Sequence, residues 1–79
     1  MDVRIDILST NFVVPKNKKL KNIWINLYGI ENITPKRLKY MADVFLNNPK
    51  ANRLIINASD QVEEELKIFG KVHNAQFIK

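Results

Sequence analysis

The sequence predicts an α/β domain with a mixed sheet of about four to five strands and two main helices. Three observations support this prediction. Residues 23–28 form a nearly continuous apolar run that is typical of a buried central strand. Residues 35–48 and 60–69 carry apolar side chains at helical spacing. Strands and helices alternate in the second half of the chain, and that order is typical of crossovers between parallel strands.

The first half of the chain is predicted to begin with two extended segments. In the first segment, apolar and charged residues alternate, which predicts a strand with one apolar and one charged face. Its apolar residues are Val3, Ile5 and Ile7. Residues 12–14 predict a short second strand that Pro15 ends or confines to an edge of the sheet. A basic loop at 16–21 leads into the central strand.

The first helix is predicted from Pro35 to about Asn48, where Asn47, Asn48 and Pro49 end it. A single apolar stripe should face the sheet. The stripe consists of Leu38, Met41, Ala42 and Phe45. A buried strand at 53–57 follows.

The second helix is predicted to open at Asp60, with Glu63 three residues later as in a capping box, and to stop at Gly70. Its buried positions are Val62, Leu66 and Phe69. Residues 72–78 should form the last strand.

Length and composition predict one domain that spans residues 1–79. Hydrophobic residues make up 46% of the chain, which is typical of a globular fold, and there is no cysteine for a disulfide or a thiolate metal site. No apolar run approaches the roughly 20 residues of a membrane-spanning helix. A cytoplasmic protein without a membrane span is therefore expected.

The net charge of +5 is concentrated in the first half of the chain. Residues 1–40 hold eight basic and three acidic side chains, whereas residues 41–79 hold five of each. Such an asymmetry favours a partner with an acidic surface, a nucleic acid or an anionic membrane, although solubility alone is an equal explanation.

The sequence holds no combination of residues that indicates catalysis, a cofactor or a metal. The one histidine, His73, has no neighbouring serine, cysteine or carboxylate pair. Glu63, Glu64 and Glu65 are consecutive in a predicted helix, so they point about 100° apart and cannot converge on one ion. We therefore expect a protein that is not an enzyme, with the three glutamates on a solvated face.

The start of the first helix is the candidate binding site. Thr34 and Pro35 are a favourable N-cap and first residue. The cations that follow lie at the positive end of the helix dipole, where carboxylates would be more stable. Free N–H groups together with cations predict a site for acidic side chains or anions, although a solvated helix end is an equal explanation. The predicted partner-binding residues are Asn32, Thr34, Lys36, Arg37 and Lys39.

A second basic segment provides an alternative. The lysines of the 16–21 loop, together with Trp24 and Tyr28, combine cations with aromatic rings in the way that single-stranded nucleic acid requires, although both rings are expected in the core. The possible nucleic-acid-binding residues are Lys16, Lys18, Lys19 and Lys21.

Residues 21–79 resemble the STAS domain, the fold of anti-sigma factor antagonists and of the cytosolic tails of sulfate transporters. Residues 23–34 are similar to its central strand and switch loop, and residues 53–62 to its next strand and helix start. The resemblance implies a small STAS-like sandwich that binds a protein partner. Antagonists carry a phosphorylated serine in this loop, but Thr34, Pro35, Lys36 and Arg37 occupy those positions here. The segment 9–20 is also too short for the extra strand and helix of full-length members, so we expect a truncated domain without a phosphorylation switch.

Two classes of function follow from these observations. The first is a non-catalytic, STAS-like interaction module that binds a protein through residues 31–39. The alternative is a basic protein that binds nucleic acid through 16–21 together with 36–39, in which case binding should weaken steeply with salt. The strand near 3–8 is protected only by its charges, so a homodimer through that edge is also open.

Overall fold

The sheet has four strands in the order β1-β2-β3-β4, in a computed structural model that describes residues 1–69 and 74–79. The elements are β1 (Asp2–Asp6), β2 (Asn22–Asn26), α1 (Pro35–Asn47), β3 (Asn52–Ile56), α2 (Asp60–Phe69) and β4 (Gln76–Ile78). The predicted α/β class, with four strands and two main helices, is confirmed.

The expectation of a mixed sheet is wrong for the strands that the structure describes. The pairings β1 with β2, β2 with β3, and β3 with β4 are all parallel. Each connection between consecutive strands must therefore carry the chain back to the end of the sheet at which the strands begin. The helices α1 and α2 make two of these returns. The return between β1 and β2 contains neither a helix nor a strand.

The strand predicted at 12–14 is not present. Phe12 has φ 62°, a left-handed backbone conformation that a bulky residue rarely adopts and that cannot continue a strand. Side chains also take the N–H groups that a strand would donate: Thr10 Oγ1 accepts from Phe12 N at 3.2 Å, and Asn11 Oδ1 accepts from Val13 N at 3.4 Å. Local side-chain hydrogen bonds have thus replaced a strand ladder.

Residues 9–17, here called the strap, run beside α1 and take the place of a crossover helix. The Tyr40 hydroxyl donates to the carbonyl of Val13 at 2.7 Å. The buried Asn48 Nδ2 donates to the carbonyl of Pro15 at 2.7 Å. Asn48 also caps the C-terminal end of α1, so the predicted end of that helix is confirmed. The strap is therefore held at the middle of α1 and at its C-terminal end.

The strand β2 is central, as predicted, because β1 and β3 flank it. Its Ile25 aligns with Ile5 and Ile55, and all three side chains are buried. The strand ends at Asn26, two residues before its predicted end. Tyr28 consequently lies outside the sheet and is 71% exposed, which contradicts its expected place in the core.

Both helices pack on the same face of the sheet. Arg53 on β3 lies 5.3 Å from the ring centre of Phe45 on α1, and Lys67 on α2 lies 5.5 Å from the ring centre of Phe77 on β4. Leu38, Met41, Phe45, Val62 and Leu66 are buried as predicted, whereas Ala42 is half-buried. Tyr40 and Val44 are also buried.

The second helix starts differently from its prediction. The Ser59 hydroxyl accepts from Val62 N at 3.2 Å, so Ser59 occupies the capping position and Asp60 is the first helical residue. Described strand structure near the C-terminus is limited to Gln76–Ile78. The predicted stop at Gly70, the start of the last strand at 72 and the position of His73 lie outside the described residues, as does the side chain of Phe69.

Candidate functional site

The predicted helix start at Thr34 is present and lies at the carboxyl-terminal edge of the sheet. Thr34 has the extended backbone of an N-cap, and its Oγ1 accepts a hydrogen bond from Arg37 N at 3.2 Å. Pro35 follows as the first helical residue. Loops at this edge of parallel strands are the usual place for binding sites in α/β proteins. The structure therefore places residues 31–39 where a binding site is expected.

Each of the three cations after Thr34 has a contact within the chain. Lys36 Nζ lies 4.4 Å from the ring centre of Phe12 on the strap. Arg37 Nη1 donates to the carbonyl of Asn32 at 3.3 Å. Lys39 Nζ lies 2.7 Å from Asp43 Oδ2, one turn further along α1. These contacts explain part of why cations are tolerated at the positive end of the helix dipole, where the first turn holds no acidic residue.

The loop before α1 is fixed to α2. Ile33 N donates to Glu65 Oε2 at 3.1 Å, and Asn32 Oδ1 accepts from Gln61 Nε2 at 3.2 Å. Gln61 Nε2 also lies 3.2 Å from Glu65 Oε1. Glu65 is thus a structural anchor for the loop, which the prediction of a solvated acidic face missed. An open, mostly polar depression of about 450 Å³ lies between Glu31, Asn32 and Gln61.

The other two glutamates of the acidic run differ from each other. Glu63 Oε2 lies 3.1 Å from Lys67 Nζ and 3.5 Å from Lys79 Nζ, and the Glu63 side chain is only 14% exposed. The hydrogen bond from Lys67 is the main cause that lowers the pKa of Glu63. Glu64 is exposed. Within residues 1–69 and 74–79 there is no cluster of histidine, aspartate or glutamate side chains that could hold a metal ion.

Two exposed apolar side chains extend this edge beyond the predicted site. Tyr28 is 71% exposed and Leu8 is 57% exposed. Gly29, with φ 80°, makes the turn after Tyr28, and a Cβ at Gly29 would lie 2.9 Å from Leu8 Cδ2. Tyr28 N donates to Asn26 Oδ1 at 3.2 Å, which fixes the start of the loop. In the sequence, Gly29 is a local signal for the turn after Tyr28, but it does not indicate that the strand already ends at Asn26.

The lysines of the 16–21 loop lie at the opposite edge of the sheet. Lys16, Lys18, Lys19 and Lys21 are all exposed. Lys16 and Lys18 border a hollow that Pro49 and Lys50 also line, beyond the C-terminal end of α1. The 13 residues of α1 separate this hollow from Lys36 by about 20 Å, so the two predicted basic clusters do not form one continuous surface.

Trp24 is half-buried on the face of the sheet opposite the helices.

No helix in the described part of the chain is long and apolar enough to cross a membrane. Comparison of the chain with protein-family models, with curated proteins and with solved structures finds no match.

Proposed function

We propose that this chain is a non-catalytic interaction module that binds a protein partner with an acidic surface through residues 31–39. The observation that supports this most is the combination of a fixed loop and a basic helix start. Glu65 anchors the loop through Ile33 N, and three cations follow within the first five residues of α1. A preformed surface of this kind loses little conformational entropy when a partner binds.

The chemistry of the surface favours carboxylates on the partner. Lys36 and Lys39 are exposed, and Arg37 is half-buried with one donor on Asn32. The remaining guanidinium N–H groups of Arg37 can donate to both oxygens of a partner carboxylate, which is the paired geometry that arginine prefers. Tyr28 on the same loop supplies the exposed aromatic side chain that is enriched at the centres of protein interfaces. Binding then combines charge complementarity with the burial of one aromatic ring.

The experiment compares two double variants with equal changes of charge. Lys36→Glu with Arg37→Glu alters the proposed surface, and Lys18→Glu with Lys19→Glu alters the opposite edge of the sheet. Proteins retained from the native host by the immobilised wild-type chain are quantified by mass spectrometry for all three baits. A specific partner should be retained by the wild type and by the second variant but lost by the first.

Calorimetric titration with that purified partner then measures affinity. We expect at least a tenfold loss for the first double variant, since reversed charges facing carboxylates cost about 1.4 kcal/mol or more. Thermal melts must show that the variant remains folded. Equal affinity for the wild type and the first double variant would contradict the proposal.

The nucleic-acid alternative relies on the lysines at the other edge. Lys16, Lys18 and Lys50 border a single hollow, so a phosphate backbone could contact several cations there. Fluorescence anisotropy with labelled single-stranded DNA and RNA tests it with the same variants. Under this alternative, the Lys18→Glu, Lys19→Glu variant loses binding, and the affinity of the wild type falls steeply with salt.

The STAS resemblance stays a prediction, and the proposed function does not depend on it. The absence of a serine at positions 34–37 still argues against a kinase-controlled switch of the antagonist type.

A further inference from the structure

The outer edge of β1 is open for strand pairing. In the described part of the chain, β1 pairs only with β2. Ile7 N donates to the carbonyl of Asn26 at 3.0 Å, so the odd-numbered residues of this segment direct their backbone groups towards β2. Backbone groups alternate along a strand, and those of Asp2, Arg4 and Asp6 therefore point to the open edge. The Asp6 carbonyl also accepts from Ser9 N at 3.2 Å, which leaves its second lone pair free.

A groove of about 410 Å³ runs along this edge, between β1 and the strap. Val3 and Ile5 line it from the strand, and Val13 and Tyr40 line it from the other side. Val13 is 64% exposed, and polar side chains such as Ser9 and Thr10 complete the lining of the groove. The groove therefore offers both backbone groups and several apolar side chains to an extended segment.

We propose that the occupant is β1 of a second copy of this chain, paired antiparallel about a two-fold axis at Ile5. In this register Arg4 of each copy lies opposite Asp6 of the other, and the two Ile5 side chains meet on the helix side of the sheet. Arg4 and Asp6 both direct their backbone groups outward, so the same register also forms the hydrogen-bonded pairs of an antiparallel ladder. The paired copies form one continuous sheet of eight strands.

Charge complementarity is what favours a second copy over an unrelated peptide. Within one chain Arg4 Nε lies 3.2 Å from Asp6 Oδ1, on the sheet face opposite the helices. Pairing places two such ion pairs side by side with opposite charges adjacent, which stabilises cross-strand neighbours. A register centred on Arg4 instead places Arg4 against Arg4 and Asp2 against Asp6, so repulsion disfavours it. The apolar Val13 of each copy then lies beside the arriving strand.

The first test measures mass in solution by sedimentation velocity and light scattering over a wide range of concentration. The wild type should associate to a dimer. Arg4→Glu should raise the dimer dissociation constant at least about tenfold, because it faces Asp6 of the second copy with a like charge. Lys19→Glu makes the same change of net charge on an exposed loop and should leave the dimer intact. A wild type that stays monomeric at all concentrations, or a dimer unaffected by Arg4→Glu, overturns the proposal.

The second test mixes Arg4→Glu with Asp6→Lys. A homodimer of either variant would place like charges opposite each other in the proposed register. A heterodimer of the two variants would instead place opposite charges together at both ends of the strand pair. The mixture should therefore dimerise although each component is monomeric. The Arg4–Asp6 ion pair within one chain cannot be restored by mixing, so recovery reports pairing between chains. A correctly folded mixture that does not dimerise overturns the register.

Asp6→Lys removes the carboxylate that accepts from Asn26 Nδ2 at 2.7 Å, so its fold must be checked by circular dichroism. If it does not fold, Arg4→Pro replaces it, because that substitution removes an N–H that points away from β2. Arg4→Pro should give a folded monomer, and a folded Arg4→Pro dimer would overturn the proposal.

Discussion

The ammonium of Lys36 lies 4.4 Å from the centre of the Phe12 ring and couples the first turn of α1 to the strap. The same ring meets Tyr40 edge-on, with centres 5.3 Å apart and an angle of 77° between the planes. An exposed cation–π contact contributes about 0.5–1 kcal/mol. The stabilisation from this contact offsets the cost of placing a cation at the positive end of the helix dipole, which is a few tenths of a kcal/mol.

We predict that the effect of Lys36→Glu on stability depends on Phe12. In the wild-type background, the lost cation–π contact should offset the dipole gain, and the free energy of unfolding should stay constant or fall by about 0.5 kcal/mol. In a Phe12→Leu background, only the dipole gain remains, and Lys36→Glu should stabilise by a few tenths of a kcal/mol. Urea melts of the four proteins measure this coupling. Equal effects in both backgrounds would show that the ring does not hold the ammonium.

Thr34 should matter for stability through its hydroxyl. Thr34→Ala removes the acceptor for Arg37 N and should cost about 1 kcal/mol, whereas Thr34→Ser keeps the acceptor and should cost much less. Denaturant melts distinguish the two. If both variants lose the same stability, then the methyl group rather than the cap is responsible.

The two helix stripes should tolerate truncation poorly. Phe45 and Leu66 are each 2% exposed, and Phe45→Ala and Leu66→Ala should each destabilise by about 2–5 kcal/mol. Leu46, which is 71% exposed and adjacent to Phe45, is the matched control, and Leu46→Ala should change stability by less than about 0.5 kcal/mol. Chemical denaturation of all three variants checks the assignment. A loss of less than about half a kcal/mol for Phe45→Ala would contradict its place in the core.

Two carboxylates should contribute to acid sensitivity. Hydrogen bonds from Asn26 and then from Arg4 lower the pKa of Asp6 below its usual 3.8, and Lys67 lowers the pKa of Glu63 below its usual 4.5. A lowered folded-state pKa stabilises the fold at pH values above these ordinary ones, which the groups have in the unfolded chain. That stabilisation is lost as the pH falls from those values through the folded-state ones.

The measurement is the free energy of unfolding from about pH 6 to pH 2. Asp6→Asn and Glu63→Gln should each flatten the decline, because the substituted groups no longer take up a proton on unfolding. Glu64→Gln, an exposed neighbour with the same change of charge, is the control. A decline that is unchanged in Asp6→Asn would show that Asn26 does not favour the ionised carboxyl.

Features with a local cause could be predicted from the sequence. The helix start at Thr34 and Pro35, the end of α1 at Asn48 and the buried stripe around Phe45 follow from capping and helical periodicity, which need only neighbouring residues. The alternation in β1 likewise indicated a strand with one buried face. The candidate site at 31–39 was located by the same local signals, although its binding role is a proposal.

The tertiary structure decided what depends on residues far apart in the chain. The parallel pairing of β1 with β2 depends on the strap, which returns the chain without an extra strand and contacts α1 through Tyr40. The left-handed Phe12 is stable where it packs against Tyr40 and Lys36, and the loop before α1 is fixed by Glu65, 32 residues away from Ile33. Periodicity and capping fix individual elements, but the contacts that orient them form only when distant segments pack together.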